Sequence, residues 1–339
     1  MTQRISTLLL VLGISLMTVG QSSNVTNAKF SYDAAYLKTQ TQDFAGAAKD
    51  LTEAIDEIEP ALTNEKTMTK EKTWRYRGMI YELVSRHLDQ EAIASLVNDP
   101  VGLAYDSYKK ALELDVKGAY EAENSRGLDV MRSIALNTGV KNYNDENFGS
   151  AFSMFSKAAM IAESKGITDT LAIYNAALSA DRGGDKEGAL LYYQKSLDAG
   201  MPEPAIFQFM STIHRNAGDT AMAEQVIMNG REAFPSDQGL LIEEVNIYLG
   251  KGQMEKALKN LELTVAQDPE NATLQYSVGS VYDNLGNIEK AREAYAKAIS
   301  LDANYFDPQY NMGATYYNEA VELINKANQI PPNKIKEYN

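Results

Sequence analysis

Residues 278–298 read VGSVYDNLGNIEKAREAYAKA, and the spacing of small and bulky residues in this stretch decides the fold. Gly286 precedes Ala291 by five residues, and Tyr295 follows Ala291 by four. The arrangement recurs with a step of 34 residues, and such a fixed period is the signature of a repeat architecture. The columns that keep this step are Gly184, Gly218, Gly252 and Gly286; Ala189, Ala223, Ala257 and Ala291; Tyr193, Ile227, Leu261 and Tyr295; and Tyr248, Tyr282 and Tyr316. A repeat array therefore organises most of the chain.

Within each repeat the apolar residues are spaced as on two helices. Leu274, Val278 and Tyr282 fall on one helical face, and Ala291 and Ala298 fall on the face of a second helix. The repeated glycine lies between the two faces, where the chain must reverse and a left-handed backbone is needed. Each helix pair keeps an apolar flank that only the next pair can cover, so the sequence predicts a solenoid.

The repeat resembles the tetratricopeptide repeat (TPR), which has Trp-x2-Leu-Gly-x2-Tyr in its first helix and Ala-x3-Phe/Tyr-x2-Ala in its second. Gly279 and Tyr282 match the first pattern, while Ala291, Tyr295 and Ala298 match the second. Residues 74–81, WRYRGMIY, resemble the first helix of an earlier repeat. The resemblance extends over about residues 31–325. It implies an all-α fold, a right-handed α-solenoid of stacked helix-turn-helix repeats.

The repeats are less regular in the N-terminal half of the chain. We expect a short linker at residues 21–30, irregular repeats over 31–166 with an insertion near 82–103, and regular repeats over 167–328. The step from Ala151 to Ala189 is 38 residues, and the excess falls near residues 161–168. Residues 329–339, which include Pro331 and Pro332, are expected to form a C-terminal tail. That tail is too short to cap the last repeat, so the chain is either truncated or covered there by a partner.

The first twenty residues have the features of a secretory signal peptide. Arg4 is the one charged residue before an apolar run, and small residues at Thr18 and Gly20 fit a cleavage site. An uncleaved membrane anchor is the alternative, but the run is shorter than the roughly 20 apolar residues that a spanning helix needs. We therefore expect an exported protein, periplasmic or secreted, that resembles exported TPR proteins of Gram-negative bacteria and has no stable membrane span after cleavage.

The resemblance also predicts which side chains line a concave groove, because TPR arrays hold peptides against their first helices. Projecting the family's groove-facing positions onto the regular repeats gives a set of candidate peptide-binding residues. They are Tyr174, Asp181, Arg182, Gln208, Thr212, Arg215, Asn216, Asn246, Tyr276, Ser280, Asp283, Asn284, Tyr310, Tyr317 and Asn318. The lysine column with which some TPR co-chaperones grip a C-terminal carboxylate is missing from these positions.

Two ladders within this set have alternative interpretations. Asn216, Asn284 and Asn318 are equivalent, and an asparagine amide both donates to and accepts from an extended peptide backbone. Such asparagines also commonly hydrogen-bond a tight turn, and here each lies just before a turn. The equivalent tyrosines Tyr174, Tyr276 and Tyr310 suit either partner binding or packing between repeats.

Composition argues against most catalytic chemistry. The 339 residues include no cysteine and two histidines, His87 and His214, which are far apart. Thiolate metal sites, a cysteine nucleophile and a disulfide framework are thereby excluded, and no metal or cofactor is expected. The net charge of −14 argues against nucleic acid as a partner, because phosphate binding relies on clustered lysine and arginine.

These observations favour a non-catalytic scaffold for protein–protein interaction that binds protein or peptide segments in its concave groove. The main alternative is an exported recognition module for a non-protein ligand such as a cell-wall glycan, since tyrosine-rich grooves can stack sugars. A less favoured alternative is an enzyme subunit with its active residues in the 82–103 insertion. The uncapped C-terminal repeat also offers a route to a homo-oligomer.

Overall fold

The computed structural model describes residues 24–201 and 203–329, and every regular element within them is helical. The expected signal peptide, the last ten residues and the Pro331–Pro332 pair lie outside the described residues. The chain divides into two compact units, Met1–Met201 and Pro202–Asn339, which we describe one at a time. The sequence places the change from irregular to regular repeats at 166/167, so the unit boundary falls one repeat later.

The first unit is a series of antiparallel helix pairs in which α1 pairs with α2, α3 with α5, α6 with α7, and α8 with α9. Its helices are residues 24–40 (α1), Phe44–Ile58 (α2), Glu71–Ser85 (α3), Glu91–Ala94 (α4), Pro100–Leu114 (α5), Glu121–Asn144 (α6), Phe148–Ser164 (α7), Thr170–Arg182 (α8) and Lys186–Asp198 (α9). A 3-10 turn occupies Glu59–Leu62. These four pairs are the first four repeats.

One segment of this unit differs from the expected organisation, and the structure locates the expected insertion and the four excess residues. Residues 24–30, which the sequence predicts as part of a linker, are helical, because Val25 and Ala28 are buried in one core cluster with Ala47 and Leu51. The insertion near 82–103 contains the end of α3, the single-turn helix α4 and the start of α5. The excess of four residues after Ala151 lengthens α7 to 17 residues, against 13 in α9.

The second unit repeats the same pairing with more uniform helices, α10 with α11, α12 with α13, and α14 with α15. Its helices are Pro204–Asn216 (α10), Thr220–Ala233 (α11), Gln238–Gly250 (α12), Met254–Gln267 (α13), Ala272–Asn284 (α14), Ile288–Leu301 (α15) and Phe306–Asn328 (α16). The last of these packs on α15 and α14. The prediction of an all-α fold of stacked helix-turn-helix repeats is confirmed.

The repeated glycine makes the turn within each helix pair, as the sequence predicts. Gly286 has φ +76°, and the backbone N–H of Asn287 donates to the carbonyl of Tyr282 at 2.9 Å. This is the bond of a Schellman motif, which satisfies a carbonyl that the helix end leaves without a partner. The Asn287 side chain then accepts a bond from the N–H of Lys290 and caps the second helix. The turns at Gly184, Gly218 and Gly252 have the same left-handed backbone and the same closing bond.

A second glycine allows the two helices of a pair to approach closely. A Cβ atom added to Gly279 of α14 would lie 2.6 Å from the ring of Tyr295 on α15, and Tyr295 is fully buried. In the first unit, a Cβ on Gly78 of α3 would lie 2.8 Å from the ring of Tyr108 on α5. The glycine thus makes room for a large buried ring on the partner helix.

We predict that Gly279→Ala destabilises the protein, whereas Gly313→Ala does not. Gly313 is the equivalent residue of the next repeat, and a Cβ there would meet no atom within 4 Å. Overpacking at Gly279 should lower the free energy of unfolding by about 2 kcal/mol. Alanine at Gly313 should raise it by about 0.5–1 kcal/mol, because alanine has a higher helix propensity than glycine. Urea unfolding followed by circular dichroism measures both effects. Equal changes in the two variants would contradict the close approach as the cause.

Candidate functional site

The residues predicted to line a groove all lie on first helices, but the structure distributes them over both units. Tyr174, Asp181 and Arg182 lie on α8 of the first unit. The second unit carries the others: Gln208, Thr212, Arg215 and Asn216 on α10; Asn246 on α12; Tyr276, Ser280, Asp283 and Asn284 on α14; and Tyr310, Tyr317 and Asn318 on α16. The second unit therefore brings together twelve of the fifteen candidates, on four first helices.

The two aspartates of the set are anchored inside their own helix pairs. The hydroxyl of the buried Tyr193 donates to Asp181 at 3.4 Å, and that of Tyr295 donates to Asp283 at 3.3 Å. Each pair joins residues 12 apart in sequence, from the end of the first helix to the middle of the second. Asp181 also forms a 2.6 Å ion pair with Lys186. These carboxylates hold the hairpin together and are less available to a partner than a groove-lining role requires.

The second repeat contains the same kind of pair, since the Tyr108 hydroxyl donates to Glu82 at 2.5 Å. Burial, followed by the nearby carboxylate, raises the pKa of Tyr108 and of Tyr193 well above the ordinary value. The same two causes raise the pKa of Tyr295 to about 12. These phenols therefore remain protonated donors far into the alkaline range.

The tyrosine ladder separates into packed and exposed members. Tyr174 is half-buried, with its ring 6.5 Å from that of Tyr193. Tyr276 lies between Tyr295 and Tyr305, at ring distances of 5.9 and 5.3 Å, and its hydroxyl accepts a bond from Asn311. Packing within the helix pair accounts for Tyr174, and packing both within its pair and against the next repeat accounts for Tyr276.

The exposed tyrosines lie on α16. Tyr310 is 65% exposed and stacks on Phe306 at 5.9 Å, while Tyr317 is 70% exposed. Both rings present large apolar surfaces with a polar hydroxyl to solvent. These two tyrosines keep the surface that partner binding needs.

The asparagines of the set are all exposed, and none bonds to the turn that follows it. Asn284 donates from its amide to the carbonyl of Ser280 at 2.8 Å, within its own helix. Within residues 24–201 and 203–329, the side chains of Asn216, Asn246 and Asn318 have no hydrogen-bond partner. The turns that follow Asn216 and Asn284 are closed by backbone bonds, and Asn318 lies inside α16 with no turn after it, so these side chains do not stabilise turns.

The polar candidates on α10 take part in contacts between first helices. Arg215 donates to Glu243 of α12 at 2.6 Å and to the hydroxyl of Thr212 at 3.4 Å. Gln208 packs against Gly239 of α12, so closely that a Cβ there would lie 2.3 Å from its amide nitrogen. The charge of Arg215 is thus largely neutralised by Glu243. Arg182 in the first unit is the exposed arginine of the set, and Ser280 is half-buried.

The predicted groove positions cover the regular repeats alone and therefore do not include Arg75 in the N-terminal half of the chain. Arg75 precedes Gly78 by three residues, as Tyr276 precedes Gly279, and so occupies an equivalent position. It is buried, pairs with Glu71 at 2.8 Å and with Glu123 at 3.3 Å, and lies 4.0 Å from the centre of the Tyr120 ring. Aligning Gly78 of WRYRGMIY with Gly279 of the regular repeats would have identified the position of Arg75 from the sequence. Because both carboxylates neutralise it, Arg75 joins α3 to α6 and does not act as a free cation.

Two kinds of structural feature are absent from residues 24–201 and 203–329. No group of three or more histidine, aspartate or glutamate side chains there has an arrangement that could hold a metal ion. None of the helices there combines the length and apolar character that crossing a membrane requires.

One segment of the chain matches a known repeat family. Residues 279–319 match the family model for the TPR repeat. This segment comprises the C-terminal part of α14, all of α15 and residues 306–319 of α16, including Asp283, Asn284, Tyr310, Tyr317 and Asn318. None of the curated proteins matches the chain.

Several solved structures resemble parts of the chain. One is YrrB, described as a TPR protein with an unusual peptide-binding site, at 20% identity over 61% of this chain and 98% of that chain, with a TM-score of 0.42. MamA from Desulfovibrio magneticus RS-1 is 26% identical over 45% of this chain and 86% of that chain, with a TM-score of 0.40. A thermophilic TPR protein of Thermus thermophilus, TTC0263, is 18% identical over 55% of this chain and 99% of that chain, with a TM-score of 0.35.

We predict that the buried tyrosine–carboxylate pairs make the protein less stable at alkaline pH. In the unfolded chain tyrosine ionises near pH 10, whereas the pKa of Tyr295 in the fold is about 12. Its contribution is therefore complete below pH 10 and is lost as the pH rises from 10 to 12. At pH 11 the parent protein should have lost about 1 kcal/mol of its unfolding free energy through this ionisation, and Tyr295→Phe should abolish that loss.

Urea unfolding at pH 8, 10 and 11 measures this effect as a difference in pH dependence between variant and parent. Tyr317→Phe is the matched control, because the Tyr317 side chain is exposed. If both variants changed the pH dependence equally, burial of Tyr295 would not be the cause.

Proposed function

We propose that this protein is an exported, non-catalytic scaffold for protein–protein interaction. The surface that binds an extended peptide segment is the first-helix face of its second unit, formed by α10, α12, α14 and α16. The TPR match at residues 279–319 supports the proposal, since proteins with such repeats mostly bind other proteins. Export rests on the signal-like sequence of residues 1–20 and places the protein in the periplasm or outside the cell.

The observation that carries this proposal is a row of exposed asparagines that keep hydrogen-bonding groups available. Asn216, Asn246 and Asn318 keep the whole carboxamide, and Asn284 keeps its amide oxygen and one N–H. Asn216, Asn284 and Asn318 occupy equivalent positions on α10, α14 and α16, and Asn246 lies between them on α12. A free carboxamide can accept from one backbone N–H and donate to one carbonyl of an extended chain. Residues repeated in register suit a ligand that is itself repetitive, and a peptide backbone has that property.

The exposed tyrosines extend the same surface with apolar area. Tyr317 lies beside Asn318 on α16, and Tyr310 lies two turns earlier on the same helix. Tyrosine contributes a large rigid contact at a small entropic cost, which is why it is common at recognition surfaces. Together with the asparagines, these rings provide contacts both to the main chain and to the side chains of a partner.

Charge gives a weaker indication of the partner. With Arg215 neutralised by Glu243, this surface of the second unit presents little positive charge, and the whole chain carries a net charge of −14. Long-range electrostatics therefore favours a neutral or basic segment over an acidic one. The charges influence the rate of encounter more than the energy of the contact.

A glycan is the second candidate ligand, and one observation favours it. Phe306 and Tyr310 form a stacked pair in which the rings are 68% and 65% exposed. Exposed aromatic faces can stack against sugar rings. Stacking of a sugar does not require the asparagine row, so substitutions of the asparagines and of Tyr310 should affect the two ligands differently.

We predict that replacing Asn216, Asn284 and Asn318 together by alanine weakens peptide binding by the full-length chain. Peptides selected from a random library on phage should bind the triple variant at least about tenfold more weakly, because each lost hydrogen bond contributes about 1 kcal/mol. Fluorescence anisotropy with labelled peptides measures the affinity.

Asn304→Ala is the matched control, because Asn304 is an exposed asparagine in the loop before α16. Unchanged peptide affinity in the triple variant would argue against the asparagine row. Selection of no peptide, together with glycan-array binding that Tyr310→Ala abolishes, would favour the second candidate.

A further inference from the structure

One cavity of the first unit lies outside the predicted groove, between two second helices. It has a volume of about 840 Å³ and is bounded by α7, by the end of α9, and by the loop that joins α7 to α8. This volume is within the range of about 300–1,000 Å³ that is typical of pockets for small ligands.

The irregular repeat length creates this cavity. The four extra residues lengthen α7, and the loop that follows contributes Ile167 and Thr168 to the cavity wall. Between α11 and α13, which have the same relation to each other in the second unit, the cleft measures about 460 Å³ and its lining includes the ion pair of Arg231 and Glu244. The departure from the 34-residue period thus coincides with a larger and more apolar site.

The walls of the cavity are largely apolar and partly exposed. Phe152 and Tyr192 pack edge to face at 5.3 Å on one side. Met160 and Ile167 line the cavity and are 43% and 46% exposed. Exposure of such side chains around a concavity costs free energy that an apolar ligand would recover.

A cation without an ion-pair partner favours an anionic group at one side of the cavity. Lys195 is held 4.8 Å from the centre of the Tyr192 ring, and no carboxylate of the described residues lies within ion-pair distance of its ammonium. Lys157 donates to Ser153 at 2.7 Å and lies 3.5 Å from Asp99. The buried hydroxyl oxygen of Ser156 has no hydrogen-bond partner within the described residues.

Of the three carboxylates in the lining, only Asp169 has a cationic partner among the described residues. Asp169 accepts two bonds from Arg132, at 3.0 and 2.5 Å, and caps α8 through the N–H of Ala172. Asp198 accepts a bond from the neutral amide of Gln194 at 2.9 Å, and Glu163 is an exposed carboxylate on the lengthened part of α7. Lys195 adjoins the aromatic wall formed by Phe152 and Tyr192, so an anionic group bound at Lys195 has its apolar contact beside it. An amine of the same chain length tests whether Glu163 binds a cation instead.

We infer that this cavity binds a small amphipathic anion, with an apolar chain or ring between Phe152, Tyr192 and Ile167 and an anionic head group at Lys195. The aromatic walls supply the apolar contact, and the ammonium fixes the orientation. This site is separate from the peptide-binding surface of the second unit, and it would make the protein responsive to a lipid-like or aromatic acid.

Isothermal titration calorimetry of the full-length chain with octanoate, octanol and octylamine tests this inference. We expect one octanoate per chain, bound more tightly than octanol, with octylamine weakest. Lys195→Ala should weaken octanoate binding by about fivefold, the upper end of what an exposed ion pair contributes, and should leave octanol unchanged. Lys297→Ala is the matched control, because Lys297 is exposed at the equivalent position of α15.

A second variant addresses the cavity itself. Ala159→Phe places a ring in the space that the ligand would fill and should abolish binding of octanoate and octanol, with folding checked by circular dichroism. Absence of saturable octanoate binding to the parent chain would overturn the inference. Tighter binding of octylamine than of octanoate would do the same, since Glu163 would then be the recognition group.

Discussion

Two helix pairs, α3 with α5 and α14 with α15, depend on the approach of a large second-helix ring to a glycine on the first helix. The pairs that begin with α8, α10 and α12 have Ala177, Ser211 and Val245 at that position. Gly78 receives the ring of Tyr108, and Gly279 receives the ring of Tyr295. Glycine is unfavourable within a helix, by about 1 kcal/mol relative to alanine. The buried ring more than offsets this cost, because a fully buried aromatic side chain contributes several kcal/mol of apolar stabilisation.

Polar chemistry is arranged around this contact. A ring that is buried so deeply must place its hydroxyl against an acceptor, and a carboxylate at the end of the first helix provides one. Where the second helix has Ile227 or Leu261 in place of tyrosine, the corresponding first-helix residue is Arg215 or Leu249 instead of an acid. The two positions therefore vary together within a single chain, as expected for a donor and its acceptor.

The sequence was sufficient to predict the helix pairs and the glycine turns, because a period of 34 residues repeats the same physical requirement many times. It was not sufficient for features that occur once. The helix over residues 24–30 depends on burial of Val25 and Ala28 against α2, and the cavity beside α7 depends on where four extra residues are accommodated. Asp181 and Asp283 were assigned to the groove because projection considers one helix at a time, whereas their partners lie on the next helix.

The tyrosine–carboxylate pairs also bear on how such a chain can evolve. Tyr108 and Glu82, Tyr193 and Asp181, and Tyr295 and Asp283 each lie within one helix pair, whereas the buried Tyr81 of the second repeat donates to Glu59 of the first. A recombination event that copies or deletes a whole hairpin carries each of the first three donors together with its acceptor. Loss of the first repeat would instead leave the Tyr81 hydroxyl without Glu59, so a change in repeat number there would require a compensating mutation at once.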